Sequence, residues 1–183
     1  MSQKILRTND NLVPLMSSSS AEWYTPPEIV GKVIEVMGEI DLDPCSNPEP
    51  RNIPARNVFT AEDDGLKQGW AGRVYLNPPY GRGIGKWVNK LIHEAESDYD
   101  PYVTEAIALL PARVDTQWFR PLFMYPICFI SGRLKFSGHK NSAPFPSALI
   151  YIGRNKQKFY DVCGELGEIV ERVPPLSRLA RLL

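Results

Sequence analysis

Residues 73–81 read RVYLNPPYG, a short apolar run that passes directly into a proline-rich tetrapeptide. The alternating residues from Arg73 to Leu76 predict a β-strand. The tetrapeptide Asn77-Pro78-Pro79-Tyr80 predicts a turn at the carboxyl end of that strand. Apolar residues at helical spacing between 84 and 95 predict a helix after the turn. Such a unit is typical of an α/β sheet, in which ligands bind at the carboxyl ends of the strands.

The rest of the chain continues this alternation of helices and strands. A helix is predicted to start with Thr25 as N-cap and Glu28 completing a capping box, and to end near Gly38. The remaining predictions are strands at 40–43, 106–110, 127–136 and 147–152, helices at 116–125 and 161–173, a loop at 45–57 and an amphipathic segment at 176–183. We therefore expect a three-layer α/β sandwich whose mostly parallel sheet ends in an antiparallel hairpin.

The composition is that of an ordinary globular protein, with 43% apolar and 23% charged residues in a chain of 183. This length predicts one domain over residues 21–183, preceded by a flexible arm at 1–20. Because no stretch has membrane-spanning length or the core of a signal peptide, we expect a cytoplasmic protein with no membrane partner. Three scattered cysteines and two histidines predict no metal site.

The charge balance is unusual for a protein that binds nucleic acid, because 21 basic residues are matched by 21 acidic ones. Such binding would have to depend on local patches. The sequence offers two of them, one formed by Arg82, Lys86 and Lys90 and one by residues 154–158. Each can equally be a solvated charged face.

The tetrapeptide carries groups suited to methyl transfer onto a planar aromatic amine. Acceptors that hold both N–H groups of such an amine stabilise the tetrahedral, positively charged nitrogen that develops during transfer. Asn77 supplies a side-chain carbonyl, and Pro78 supplies a main-chain carbonyl whose direction Pro79 restricts. Tyr80 offers a flat face for stacking the base. A plain proline-rich turn explains the prolines, but it explains neither the asparagine nor the tyrosine.

Several uncommon motifs occur in the order of a known family: YTPPE at 24–28, DPC at 43–45, DGL at 64–66, NPPYG at 77–81, GRLKF at 132–136 and PFPSALIYIG at 144–153. Through them the chain resembles the phage-type DNA N6-adenine methyltransferases. The resemblance implies a Rossmann-like methyltransferase fold, S-adenosyl-L-methionine as cofactor and DNA as partner. It also implies methylation of an adenine flipped out of the duplex, and a phage or prophage origin within a bacterial host.

The resemblance also implies a cofactor site made of three segments, Tyr24-Thr25-Pro26, Asp43-Pro44-Cys45 and Asp63-Asp64. The first segment matches the one that contacts the methionine end of the cofactor, although Thr25 can equally be a plain helix cap. Asp43 matches the acidic residue near the cofactor's ammonium group, or is a loop aspartate. Asp64 is the better match to the carboxylate that holds the cofactor's adenine amino group, and either acid can instead cap a helix.

The predicted site for the target base combines Tyr80 with an aromatic residue of the hairpin. Phe136 matches the family's aromatic residue that packs against the flipped base, and Phe145 is the close alternative. Both can instead be core residues. In this interpretation Asn77, Pro78, Pro79 and Tyr80 form the catalytic motif.

Two features depart from the family pattern. The interval from Asp43 to Asn77 is short for the usual strands and helices, and Ser46-Asn47-Pro48 replaces the glycines that normally follow the first strand. We therefore expect an abbreviated first half, in which no residue can be assigned to the cofactor ribose. No region is large enough for a separate recognition domain, so target recognition falls to loops, with 81–103 the first candidate, or to a homodimer.

Three other functions share part of these patterns. Cys45 after Pro44 has the pattern of a C5-cytosine nucleophile, but the partner Glu-Asn-Val is absent and Arg56-Asn57-Val58 lacks the acid. Methylation of an RNA guanine or a protein glutamine uses the same planar-amine chemistry. A DNA-binding module without catalysis would need no cofactor.

Overall fold

The computed structural model describes residues 23–48, 52–97 and 103–172. The α-helices in these ranges are α1 (Pro27–Met37), α2 (Ile84–Glu96) and α3 (Lys156–Cys163), and a 3-10 helix covers Arg120–Met124. The strands are β1 (Ile40–Asp43), β2 (Ala55–Val58), β3 (Gly72–Leu76), β4 (Val103–Pro111), β5 (Ile127–Ile130), β6 (Ser147–Ile152) and β7 (Gly167–Val170). The predicted arm at 1–20 and the predicted amphipathic segment at 176–183 lie outside the described residues.

The described strands form one sheet in the order β2-β1-β3-β4-β6-β5-β7. β2, β1, β3 and β4 are parallel to one another. β6 is antiparallel to both β4 and β5, and β7 is antiparallel to β5. β5 therefore runs in the same direction as the four parallel strands. Among the described strands, only β6 and β7 run in the opposite direction. The mostly parallel sheet and the antiparallel hairpin are confirmed.

Helices cover both faces of the sheet, which confirms the three layers. In β4, Ile107 and Leu109 face the core with α1 and α3, whereas Ala106, Ala108 and Leu110 face the core with α2. All of these side chains are fully buried, and each buried Leu or Ile contributes about 1.5–3 kcal/mol. No helix in the described ranges is long and apolar enough to cross a membrane.

The first half of the fold is compact, as predicted. β1 pairs directly with β3, and no helix occurs among the described residues between Asp43 and Gly72. β2, at the edge of the sheet, is the strand between them in sequence. Because β1 and β3 are parallel neighbours, their carboxyl ends bring Asp43 and Asn77 to the same edge of the sheet.

The start of α1 differs from the prediction. Pro26 is the N-cap, and no side chain caps the helix. The carbonyl of Pro26 accepts from the N–H groups of Ile29 and Val30. The capping box of Thr25 and Glu28 is therefore wrong, because the Thr25 hydroxyl is turned inward to other partners. The predicted end is confirmed, since Gly38 is the C-cap with φ of 82°.

Four other predicted ranges need correction. The predicted loop at 45–57 contains most of β2, whose residues are largely exposed. The predicted helix at 116–125 is reduced to the 3-10 helix that includes Pro121. The predicted strand 127–136 ends at Ile130, close to Gly132 with φ of 76°. The predicted helix 161–173 holds only the end of α3 and then β7, where a Cβ on Gly167 would lie 2.0 Å from the Phe129 carbonyl oxygen.

Candidate active site

A cavity of about 310 Å³ lies at the carboxyl ends of β1 and β3. Its lining includes most of the predicted site residues: Tyr24, Thr25, Asp43, Pro44, Cys45, Asp64, Asn77, Pro78 and Pro79. The topology explains this convergence, because adjacent parallel strands end at one edge of the sheet. The other predicted residues, Pro26, Asp63, Tyr80, Phe136 and Phe145, do not line the cavity.

The side chain of Asn77 is held in one orientation. Its Nδ2 donates to the carbonyl oxygen of Trp23 at 2.6 Å and to Thr25 Oγ1 at 3.1 Å. Since a carbonyl can only accept, the NH₂ group must face Trp23 and Oδ1 must face away from it. Oδ1 is buried and has no hydrogen-bond partner among the described residues. An unpaired buried acceptor costs about 1–3 kcal/mol, and a ligand that donates a hydrogen bond would remove this cost.

Thr25 connects Asn77 to the buried core. Its hydroxyl lies 2.8 Å from the hydroxyl of Tyr75, which is fully buried. Burial raises the pKa of Tyr75, so the phenol stays protonated. The carbonyl of Thr25 accepts from Asn52 Nδ2 at 3.2 Å and from Ser137 Oγ at 3.4 Å. Thr25 therefore orients the Asn77 amide instead of capping α1.

Asp43 is a buried carboxyl group in the cavity lining, with 3% of its surface exposed. Burial raises its pKa to about 6, although hydrogen bonds from the Cys45 N–H and from Ser46 oppose this change. The bond from the Cys45 N–H is 3.1 Å long. A carboxylate left this short of donors is suited to bind a ligand that brings an ammonium or hydroxyl group.

Cys45 is a further residue of the cavity lining. Burial raises its pKa well above the ordinary value, and the negative charge of Asp43 raises it further. A cysteine nucleophile needs the thiolate, which this environment disfavours. The geometry thus agrees with the exclusion of a cytosine-C5 mechanism at this position.

Asp64 reaches the cavity through an unusual backbone. Its φ is +52°, the only positive value of a non-glycine residue in the described ranges, and aspartate tolerates this region better than most residues. The next residue packs closely, since a Cβ on Gly65 would lie 2.1 Å from the Pro44 carbonyl oxygen. Trp70 fixes this turn by donating from Nε1 to the Gly65 carbonyl at 2.8 Å. The Lys67 ammonium, at 2.9 Å, lowers the pKa of Asp64.

Asp63 and Pro26 serve the local chain. Asp63 is exposed and accepts from both the N–H and the hydroxyl of Thr60 at 2.8 Å. These bonds lower its pKa and close a tight turn. Pro26 is the N-cap of α1. Of the two acids considered for the cofactor's adenine, the structure places Asp64 at the cavity.

Tyr80, Phe136 and Phe145 come together with Trp23 in an aromatic cluster, the name used below for these four residues. The Tyr80 ring is 6.1 Å from Phe136 and 5.4 Å from Phe145, and Trp23 is 5.2 and 5.1 Å from the same two rings. The Tyr80 hydroxyl donates to the Leu109 carbonyl at 3.2 Å. Trp23 lines the cavity as well, so the aromatic cluster adjoins it directly.

Sequence reasoning did not select Trp23, Asn52 or Trp87 for the site, although all three line the cavity. Trp23 acts through its main-chain oxygen, a contact that no residue pattern reveals. The sequence indicates Trp87 only as one apolar position of the helix between 84 and 95. A tryptophan immediately before the YTPPE motif was the one signal that could have selected Trp23. No cluster of potential metal ligands occurs in the described ranges.

The three-layer sandwich, with its cavity at the carboxyl ends of β1 and β3, has a Rossmann-like methyltransferase fold. The chain belongs to the DNA N-6-adenine-methyltransferase (Dam) family, whose model matches residues 14–162. Among solved structures, a dimethyladenosine transferase from Plasmodium falciparum is similar at 13% identity with a TM-score of 0.44. The similarity covers 75% of this chain and 65% of that protein. No curated protein matches the chain significantly.

Proposed function

We propose that the protein transfers a methyl group from S-adenosyl-L-methionine to the N6 amino group of adenine at specific sites in DNA. The observation that carries this proposal is the buried, unpartnered Oδ1 of Asn77. Asn77 lines the cavity together with Asp43 and Asp64, and its amide is bonded to the main chain of Trp23 in the aromatic cluster. Family membership supports adenine in DNA as the substrate.

The groups in the cavity fit this cofactor. Asp43, buried and short of donors, suits the cofactor's ammonium group, and Asp64 suits the amino group of its adenine. When bound, S-adenosyl-L-methionine supplies an electrophilic methyl group on a sulfonium. A volume of about 310 Å³ is at the lower end of the ordinary range for small-molecule sites.

Asn77 performs the main step of the proposed mechanism. Its Oδ1 accepts one N–H of the adenine amino group, and the main-chain carbonyl of Pro78 accepts the other. Both acceptors would stabilise the positive charge that develops on the nitrogen as its lone pair leaves the ring. The N–C bond would form as the S–C bond of the sulfonium breaks and a thioether leaves, and the methylated nitrogen would then lose one proton to water. The two hydrogen bonds of Nδ2 prevent the amide from rotating, so no reorganisation is needed during the reaction.

The aromatic cluster receives the base. An adenine inside a duplex cannot present its amino group in this way, so the base must be flipped out. Tyr80 stacks on the flipped base, and Phe136 and Phe145 pack around it. Its hydroxyl bond to Leu109 holds the Tyr80 ring in one orientation. We also propose that the protein is encoded by a phage or prophage and acts in the cytoplasm of the bacterial host. If its loops alone do not recognise the target, a homodimer would do so.

The decisive experiment measures transfer of labelled methyl groups to mixed-sequence duplex DNA, with RNA and protein as parallel substrates. We expect N6-methyladenine at defined sites when the DNA product is mapped at base resolution. Asn77→Ala should lower kcat by about 100- to 1000-fold, the usual effect of removing a preorganised group that stabilises the transition state. Calorimetry should find its affinity for S-adenosyl-L-methionine within about threefold of the wild type, because Oδ1 acts on the amine.

The control is Asn57→Ala, which removes an exposed asparagine of the edge strand β2 and should leave kcat unchanged. Full activity of Asn77→Ala would contradict the mechanism. Methyl transfer to RNA or to a protein glutamine, with none to DNA, would contradict the substrate. Absence of cofactor binding in the wild type would leave a DNA-binding module as the better description.

A further inference from the structure

The loop between β5 and β6, residues 131–146, separates apolar from basic side chains. Along residues 133–136, Leu134 and Phe136 are buried, whereas Arg133 and Lys135 are exposed. This alternation is typical of an extended segment, whose successive side chains point to opposite sides. The inner side joins the aromatic cluster through Phe136. The outer side therefore presents its positive charges to solvent next to the proposed base site.

The β5–β6 loop is firmly attached to the site. The Ser137 N–H donates to the Tyr24 carbonyl at 2.9 Å, and the Ala143 N–H donates to the Leu134 carbonyl at 2.7 Å. The ring of His139 stacks on Trp23 with centroids 4.2 Å apart. Charges carried on this loop consequently have a fixed position relative to Asn77.

The charge of the β5–β6 loop is not compensated locally. The loop contains Arg133, Lys135 and Lys140 and no acidic residue, and none of the three has a carboxylate partner among the described residues. Elsewhere in the described chain, some basic side chains pair with acids, as Lys32 does with Glu165 and Arg73 with Asp41. The β5–β6 loop thus carries three positive charges, unpaired within the described residues, beside the aromatic cluster.

We propose that the β5–β6 loop binds the phosphate backbone of duplex DNA through Arg133, Lys135 and Lys140. The proposal rests on the proposed function, which supplies the DNA, and it adds the surface that holds the strand while a base enters the aromatic cluster. Phosphate contacts position a protein on DNA without reading its sequence. Three such contacts beside the site would compensate for the absence of net positive charge. They also move the expected DNA contact away from 81–103, most of which is α2.

The test compares two double variants that remove the same charges. Arg133→Gln/Lys135→Gln changes the β5–β6 loop. Arg154→Gln/Lys158→Gln is the control, because both residues are exposed and follow β6, which ends at the opposite edge of the sheet. Binding of a fluorescent duplex is measured by anisotropy over a series of salt concentrations, without any methyl transfer. Cofactor affinity of each variant, measured by calorimetry, verifies that the fold is intact.

We expect the loop variant to bind the duplex about tenfold more weakly near physiological salt, and its log K against log salt slope to fall by about 1.8, since each phosphate contact contributes about 0.9. The control should keep the wild-type slope. Lys140→Gln alone should lower the slope by about half as much. Equal slopes in the two double variants would overturn the proposal. So would a loop variant that loses affinity for an RNA hairpin but not for the DNA duplex. Absence of methyladenine in the wild type would refute the proposed function instead, because the binding comparison does not depend on transfer.

Discussion

Two regions of opposite character meet at the candidate site, the cavity that Asn77 lines with two carboxylates and the aromatic cluster. Asp43 and Asp64 give the cavity two acids that differ in exposure and in pKa. The aromatic cluster has no carboxylate and no cationic group and consists of rings in mutual contact, with Trp23 shared between the regions. We therefore expect the two regions to bind different ligands, because each would select its ligand by different physics. Hydrogen bonding and charge select in the cavity, and stacking selects in the cluster.

The two regions also depend on the chain in different ways. The acids are placed by short local turns, such as the one that Trp70 fixes around Gly65. The aromatic cluster is assembled from three distant segments, which contribute Trp23, Tyr80 and the pair Phe136 and Phe145. A substitution in one region should therefore change the binding of one ligand and leave the other ligand nearly unaffected.

The largest difference between the effect on DNA methylation and the effect on cofactor binding is expected from Tyr80→Leu. This change keeps an apolar side chain but removes the flat face. Base stacking contributes about 1–3 kcal/mol, so kcat/KM for DNA should fall by about 50-fold. The affinity for S-adenosyl-L-methionine should change by less than about threefold. Tyr80→Phe is the control, because it retains the ring and loses only the bond to Leu109. An equal loss in both variants would show that the hydroxyl, and not the stacking, matters.

A smaller effect is expected from Asp64→Asn, and it should fall on cofactor binding instead of on the use of DNA. Asparagine accepts the positive φ of this position, so the backbone is preserved. Loss of a charged hydrogen bond of about 1.5–3 kcal/mol should weaken cofactor binding by about 20-fold, with kcat at saturating cofactor nearly unchanged. Asp63→Asn, at an exposed neighbour outside the cavity, is the matched control. Calorimetry that finds the same dissociation constant for both variants would remove Asp64 from the cofactor site.

The smallest effect is a pH dependence carried by Asp43. Its pKa is raised to about 6, so the carboxylate becomes available as pH rises through that value. Affinity for S-adenosyl-L-methionine should therefore increase by at most tenfold per pH unit below about 6, and level off above pH 7. Asp43→Asn should bind the cofactor weakly at every pH in this range. Titration calorimetry that finds the wild-type pH profile in this variant would contradict the assignment.

The Asp43 carboxyl group should also make the stability of the ligand-free protein depend on pH. The raised pKa means that the folded protein binds the Asp43 proton more tightly than the unfolded chain does. The free energy of unfolding should thus decrease as pH rises from about 4 to 6, by up to about 3 kcal/mol. Asp43→Asn should lack this decrease, which denaturant unfolding at several pH values would measure.

The parts of the fold that were predicted correctly depend on local patterns. β1, β3 and β4 have apolar or alternating sequences that tertiary contacts reinforce. β2 was missed because its residues, which include Arg56 and Asn57, are polar and exposed at the sheet edge. β7 was missed because it forms by pairing with β5 and has only a weak pattern of its own. Edge strands of this kind are determined by their partners more than by their own sequence.

The candidate site was predictable as a set of motifs but not as a mechanism of positioning. The motifs selected Asn77, Asp43 and Asp64, since each follows a strand or a turn that the sequence marks. The sequence could not show that Thr25 holds the Asn77 amide, because a helix cap explained it equally well. It also could not place the basic residues of 132–136 beside the site, because the strand expected to reach Phe136 ends at Ile130.

The hydrogen bond from Asn77 to the Trp23 carbonyl affects how the site tolerates mutation. A main-chain acceptor is present whatever residue occupies position 23, so no point substitution there can delete it. A deletion or insertion between positions 23 and 27 would shift which carbonyl faces the amide, even with every side chain of the site retained. The geometry of the amide should therefore be robust to amino-acid exchange in this segment and sensitive to changes in its length.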